Sequence, residues 1–397
     1  MSGTCNVSSF QLPSSGTLKV LDLTDNMYIA SIPTQTVSGV TQSCLVDQSA
    51  LETLYLRGTS ISNLFGQTQG LINLPSLKNL TLPSSLEKLT ISNCGLEEFN
   101  LTWTNQRETS PLTHVQITDC DELKVINLSG QNNLEELSIY NCPNVEVINL
   151  QAIQVKNISL DLTQLTKLKT LIISDTTIFT ELDLRNCPDL CELYCYQCSN
   201  LQDVKCAFDD NNPIELPINA FRGCGGLTNL EGFFELQGRG VFYGCSSLSF
   251  DDLLYQNKLK IKFANNVSDF SQTFFECRLL GSKYDYPISF IQSLPLSTSN
   301  ISEMFKSTDS RFIMIPDMFC RVTNNGTVEN LNVTNISGIF ENTNISGNFY
   351  SEYTTSDGEK HGFFAHMPYL LNCENAFAYG SSERFIDNKF FQFSKAD

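Results

Sequence analysis

Nowhere in this chain do about 18 apolar residues run together, so no membrane-spanning helix is encoded and no membrane insertion is expected. Basic residues are also scarce. Lysine and arginine number 25 against 43 aspartates and glutamates, a net charge of −18, and they form no run anywhere. A nucleic-acid backbone is held by clustered cations, so nucleic acid is not an expected partner. Only three histidines occur, and there is no Gly-rich phosphate loop, no His-Glu-x-x-His pair and no nucleophile elbow. EF-hand spacing is missing as well. With no base, nucleophile or ligand set marked, the chain reads as a non-enzyme that takes no cofactor and no metal. The opening Met1-Ser2-Gly3-Thr4-Cys5-Asn6 has neither the basic start nor the apolar stretch of a signal peptide, so none is expected in this chain.

What the sequence does have is repetition. Cys-x-x-Leu recurs at Cys120, Cys187, Cys198, Cys224, Cys245 and Cys277, and at Cys142 with Val145 for Leu. In the first half each cysteine closes a phrase Leu-x-x-Leu-x-Leu-x-x-Cys, as from Leu134 to Cys142. Leu112, Leu123, Leu134 and Val145 are 11 residues apart, and Leu168, Phe179, Leu190 and Leu201 resume the step. Two phrases make a 22-residue turn of chain, one a short strand and the other its return along the opposite side. That unit falls in the range of leucine-rich repeats. No single unit buries its own apolar face, so neighbours must stack. Further strand phrases begin at Leu18, Leu51, Leu77, Leu86 and Val155. The expected fold is therefore a leucine-rich-repeat solenoid, short parallel β-strands on one face with irregular or short helical returns, curved, and running over 18–208 after a cap at 1–17.

Past residue 208 the phrase changes. Asp209-Asp210-Asn211-Asn212-Pro213 reads as a polar turn, and a phenylalanine motif follows at Phe221, Phe242, Phe274 and Phe305, with weaker copies at Phe319, Phe340, Phe363 and Phe377. Asn219 to Leu227 and Gly240 to Leu248 closely resemble the BspA-like leucine-rich repeats, a small residue, Phe, two variable residues, Cys, two small residues and Leu. The organisation expected is BspA-like repeats over 209–281, then degenerate Phe repeats or a cap over 282–397. The resemblance implies a surface protein of gut bacteria or mucosal protists, or a part of a phage infecting such bacteria.

Fifteen cysteines admit three readings. Cys94, Cys120, Cys142, Cys187, Cys198, Cys224, Cys245 and Cys277 share one rung where a small buried thiol packs well, and Cys195 and Cys206 match the core positions of Ile173 and Leu184. A zinc site at Cys195-Tyr196-Gln197-Cys198, with Cys187, Cys191 and Cys206 nearby, is the alternative, but of those five only Cys191 points outward by pattern. Disulfides would mark an oxidising compartment. Buried reduced thiols without metal are expected at Cys120, Cys142, Cys187 and Cys198. Asp119, Asp121, Glu122, Asp209 and Asp210 sit at turns, where carboxylates cap backbone groups. Eleven Asn-x-Ser/Thr sequons, among them Asn79, Asn127, Asn157, Asn266 and Asn344, reflect the abundance of Asn, Ser and Thr.

Function in such a solenoid lies where side chains between the core positions emerge at a fixed spacing. Those positions carry mostly hydroxyls and amides, which suit hydrogen bonding to a protein or glycan. The candidate binding residues are Tyr55, His114, Gln116, Glu136, Glu192 and Tyr194, with Tyr55 and Tyr194 as solvent-facing aromatic anchors. The expected function is recognition or adhesion, at an extracellular surface or on a virion. The alternative is a structural component of a phage particle, with neighbouring subunits as partners and contacts on the convex side, at the ends, or in the tail at 383–397.

Overall fold

The computed structural model describes residues 8–12, 16–101, 111–209, 211–250, 253, 256–277, 294–308, 331–343, 367 and 369–376, and the backbone of strands at 312–314, 321–322, 328–329, 345–348, 350–354 and 360–362. They fall into two compact units, Met1–Ile178 with Asn186–Leu190, and Phe179–Arg185 with Cys191–Asp397. The weaker copies of the phenylalanine motif at Phe319, Phe363 and Phe377, and the tail at 383–397, lie outside the described residues.

The strands of the first unit are β1 (Val20–Asp22), β2 (Thr34–Val37), β3 (Val40–Ser43), β4 (Thr53–Tyr55), β5 (Asn63–Leu64), β6 (Leu71–Leu74), β7 (Asn79–Thr81), β8 (Lys88–Cys94), β9 (Glu98–Asn100), β10 (His114–Thr118), β11 (Val125–Asn127), β12 (Leu134–Tyr140), β13 (Val147–Asn149), β14 (Val155–Leu160) and β15 (Thr170–Ile172). Except for the antiparallel hairpin β2–β3, they pair in parallel. The solenoid expected from the repeat is present, and the structure adds a second lane. Phrases starting at Leu86, Leu112, Leu134 and Val155 form β8-β10-β12-β14, whereas those at Leu123, Val145 and Leu168 form β11-β13-β15 on the return. Both 11-residue halves of a coil are strands because both carry the same apolar spacing. Helix among the described residues is confined to a 3-10 turn at Leu162–Gln164 and α-helical residues at Phe250 and Leu253, and no helix among them is long and apolar enough to cross a membrane.

Alternation along each strand sorts the side chains. Val115 and Ile117 are buried in β10 while His114 and Gln116 look outward. The cysteine phrase is a turn device. The N–H of Leu123 donates to Cys120 O at 3.3 Å, Val145 to Cys142 O at 3.2 Å, and Leu190 to Cys187 O at 3.1 Å, closing a β-turn over Cys-x-x-Leu. Before Cys94, Cys120 and Cys142 the backbone is left-handed, with φ 51° at Asn93, 55° at Asp119 and 54° at Asn141. Asn and Asp tolerate that region best among residues with a Cβ, and Asn141 Nδ2 donates to Asp119 Oδ1 of the preceding coil at 2.9 Å. Asp119 is thus a turn residue, as its position implied. The opposite corner uses Asx turns. Asn127 Oδ1 accepts from Ser129 N at 3.1 Å, and Asn149 Oδ1 from Gln151 N at 3.0 Å.

The second unit contains β16 (Glu181–Leu184), β17 (Glu192–Tyr194), β18 (Asp203–Cys206), β19 (Ile214–Leu216), β20 (Asn229–Leu236) and β21 (Leu259–Phe263), all parallel where paired. The long β20 serves two ladders, its first half on β18 and its second half on β19. Gly232 makes the change, at φ 144°, where a Cβ would meet Cys206 Cβ at 3.0 Å. Short strands β22 (Phe312–Met314) with β25 (Ile345–Asn348), β23 (Arg321–Val322) with β24 (Val328–Glu329), and β26 (Tyr350–Thr354) with β27 (Lys360–Gly362) pair farther along.

Phenylalanine gives this unit its core. Phe221, Phe242, Phe274, Phe305 and Phe340 stack coil on coil, with successive centroids 5.9, 5.8, 5.5 and 5.6 Å apart and planes within 13° of parallel. The rung after each Phe keeps its hydrogen bond when its chemistry changes. Cys245 Sγ donates to Phe221 O at 3.2 Å, Cys277 Sγ to Phe242 O at 3.0 Å, and Thr343 Oγ1 to Phe305 O at 2.6 Å. A parallel Asx column, Asp269, Asn300, Asn335 and Asn372, runs beside them. The sequons at Asn300 and Asn335 belong to it, each Oδ1 accepting the N–H two residues on.

Candidate functional site

Among the six residues read as a binding face, three share one lane. His114, Gln116 and Glu136 lie on β10 and β12, where His114 is in register with Lys88 and Glu136. The imidazole is half-buried. Its edge meets Phe65 at 5.6 Å and 73°, Nδ1 is 2.9 Å from Thr113 Oγ1, and Nε2 is 3.8 Å from Glu136 Oε2. Glu136 itself is exposed. Next to this pair runs a polar relay across the coils. Gly66 N–H donates to Thr90 Oγ1 at 2.8 Å, Thr90 Oγ1 to Gln116 Oε1 at 3.3 Å, and Gln116 Nε2 to Tyr140 OH at 3.2 Å. Thr90 is fully buried and is the register partner of Gln116 on β8, so the orientation of Gln116 is set by the neighbouring strand. Such a surface holds its donors and acceptors in place before any partner arrives.

Tyr55 belongs to the other lane, on β4, in register with Asp22 of β1 and Thr81 of β7. It is half-buried rather than solvent-facing. It lines a cleft of about 530 Å³ bounded by Asn79–Leu82 on one side and Glu98–Leu101 on the other. The cleft exists because β7 and β9 end their respective sheets and no backbone pairing joins them among the described residues. One face shared by Tyr55, His114 and Glu136 was expected; the structure separates Tyr55 from the other two because consecutive phrases alternate between lanes.

Glu192 and Tyr194 lie in the second unit on β17, and both are half-buried. Glu192 stands in register with Glu215 of β19, two like charges side by side. Burial and the neighbouring Glu192 and Glu215 carboxylates push the Tyr194 phenol up, which keeps it a neutral donor.

The thiols occupy interior positions. All eight rung cysteines are buried, with Cys195 and Cys206, and Cys191 is half-buried. Cys195 O accepts from Cys198 N–H at 3.2 Å and from Cys224 Sγ at 2.9 Å. Burial pushes the Cys94 thiol up to about 12. Cys142 is pushed up by its hydrogen bond with Cys120 and by burial.

A column in the second unit escaped the sequence reading. The residue after each stacked Phe forms its own stack, with Arg222 over the Tyr243 ring at 4.0 Å, Tyr243 against Phe275 at 4.4 Å and 5°, and Lys306 5.7 Å from Phe275. Lys306 also pairs with Glu303 at 2.8 Å and Glu341 at 3.0 Å. The signal was the variable position between Phe and Cys, where aromatic and basic residues recur. The rings cover each other's faces, so this column works mainly as packing.

Among solved structures, the chain is similar to a leucine-rich repeat protein from Bacteroides ovatus, at 18% identity over 73% of this chain and 76% of that one, TM-score 0.26. It is similar to a leucine-rich repeat protein from Leptospira interrogans at 13% identity over 84% of this chain and 91% of that one, TM-score 0.22. The TLR13 chain of a TLR13–ssRNA13 complex is 16% identical over 75% of this chain and 50% of that one, TM-score 0.20. No protein-family model and no curated protein matches the sequence.

Proposed function

We propose that this chain is a non-enzymatic recognition module, which engages a protein or glycan partner at a cell surface or on a virion through the outward side chains of β8, β10 and β12. The observation that carries this reading is the Thr90–Gln116–Tyr140 relay beside the His114–Glu136 pair. These five polar side chains are held by their neighbours on a parallel sheet, so binding orders little that is not already ordered. Exposed Glu136 and half-buried His114 supply the charged and aromatic contact. The test is an array of mucin-type glycans and immobilised surface proteins probed with the full chain. On whichever probe binds, His114→Ala with Glu136→Ala is expected to weaken binding at least about tenfold, a loss of about 1.4 kcal/mol or more. Unchanged binding by a folded double variant would overturn the reading.

A further inference from the structure

The first unit contains a break in its own sheet. β1-β4-β7 ends at β7, and β9-β11-β13-β15 begins at β9, although both strands lie on the return lane of successive coils. The spacing explains the break. β7 starts at Asn79 and β9 at Glu98, a shorter step than from β11 at Val125 to β13 at Val147. The two coils touch just before the break. Gly95 N–H donates to Leu74 O at 3.0 Å, and Lys78 Nζ meets Glu97 Oε1 at 3.7 Å. Beyond those contacts no pairing joins the two strands among the described residues, and Asn79–Leu82 and Glu98–Leu101 line a wedge between them.

The chemistry of its walls is that of a missing strand. In a parallel ladder each residue turns both its N–H and its C=O to one side and its neighbours turn theirs to the other. Asn79 N–H and Thr81 C=O are used toward β4, with Asn79 N to Glu52 O at 3.1 Å and Leu56 N to Thr81 O at 2.9 Å. That leaves the peptide groups of Leu80 and Leu82 facing the wedge. Glu97 O and Leu101 N are used toward β11, at 3.3 Å from Val125 N and 2.9 Å from Asn127 O. That leaves Glu98 and Asn100 facing back. Leu80 and Leu82 are only half-buried, whereas Leu54 and Leu56 one coil earlier are fully buried. Thr81 Oγ1 is enclosed with no hydrogen-bond partner among the described residues. Lys78 is engaged by Glu97, while Glu98 is held only by the Asn100 amide at 3.1 Å and by no cation among the described residues.

We propose that the wedge between β7 and β9 binds an extended peptide segment of a partner protein, which inserts as an additional strand and completes the sheet, with a basic side chain beside Glu98. An inserted strand needs about 4.8 Å on either side, and it alone offers donors and acceptors to both walls at once. Its apolar side chains would cover Leu80 and Leu82, and its entry is from the Leu82 and Leu101 end, since the other end is closed.

The test uses the full chain and a blocked, fluorescein-labelled hexapeptide of alternating valine and threonine with one central lysine. Saturable binding below about 1 mM is expected. Two versions N-methylated at every second residue, in opposite phases, each lose the donors to one wall; both are expected to bind at least about tenfold more weakly, whereas addition to a single edge would be sensitive to one phase only. Glu98→Lys is expected to weaken the lysine peptide about tenfold and to favour a glutamate counterpart. His114→Ala with Glu136→Ala leaves this binding unchanged, which separates it from the strand-face reading. Absence of saturable binding, equal binding of either N-methylated peptide, or indifference to a folded Glu98→Lys variant would overturn the proposal.

Discussion

At the scale of single residues, the rung after each strand phrase shows what a buried position asks of its side chain. It asks for small volume and one donor aimed at a carbonyl, and both thiols and hydroxyls meet that demand. Cys142 is fully buried, and its Sγ lies 3.4 Å from Tyr140 O. Threonine takes the same role at Thr343, 2.6 Å from Phe305 O. A buried hydroxyl without a partner costs about 1–3 kcal/mol. With the Tyr140 carbonyl within reach, Cys142→Ser is expected at the lower end, about 1 kcal/mol, measured as a shift in urea midpoint at unchanged m-value. A loss above about 3 kcal/mol would show that the shorter C–O bond leaves the hydroxyl unbonded.

Elements in this protein are ladders, and each ladder is only as good as its repeat. The phenylalanine column sets the interior of the second unit, with Phe274 fully buried and stacked on Phe242 and Phe305 at 5.8 and 5.5 Å. Its ring also meets Phe250 edge-on at 5.4 Å. Removing one ring from the middle costs its transfer energy and leaves a cavity its neighbours fill poorly. Phe274→Ala is expected to destabilise by about 3–5 kcal/mol and Phe274→Leu by less, in chemical denaturation followed by circular dichroism. The wedge between β7 and β9 is the opposite case, where one short coil interrupts a ladder and leaves two strand edges with no pairing partner among the described residues.

On the scale of the whole molecule, the acidic balance is offset locally by pairs that link one coil to the next. Hydrogen bonds to lysine, with the lysine's charge, hold Glu97 (Lys124), Glu135 (Lys156) and Glu146 (Lys169) below the ordinary carboxylate value of 4.5. Asp183 is drawn down to about 2 by its hydrogen bond to Arg185. Because these folded values lie below the unfolded ones, the stability they contribute is fully present above the unfolded value. It is lost as pH falls through the folded values. The remaining excess of 43 acidic over 25 basic residues repels itself near neutrality, and that repulsion relaxes as protons are taken up. Thermal midpoints are therefore expected to be highest near about pH 5 and to fall steeply below about pH 4. A midpoint flat between about pH 5 and 2 would mean that the ladders contribute nothing.

The repeat itself was legible in the sequence, because a core position recurring every 11 residues has no other way to stay buried. Leu112, Leu123, Leu134 and Val145 lie in the core as their spacing requires, and the eight rung cysteines lie beneath the strands. Phe305 and Phe340 extend the aromatic column although threonine replaces cysteine after each. The candidate site was legible only in part. Alternation identified His114, Gln116 and Glu136 as outward residues of one sheet. It could not assign Tyr55 to a different lane, since both halves of a coil carry the same apolar phrase and the lane depends on how the chain closes each turn. It could not foresee that Gln116 is held by Thr90 and Tyr140, that Tyr194 has Glu215 beside it, or that Arg222 stacks on Tyr243. Those partners are about one coil away in sequence and meet only by stacking. The wedge had a trace in the sequence, the short step from Leu86 back to Leu96, but that β7 and β9 stay unpaired among the described residues shows only in the sheet order. Periodicity fixes which residues go inside; which outward residues meet, and where a ladder breaks, is decided by coil length and stacking in three dimensions.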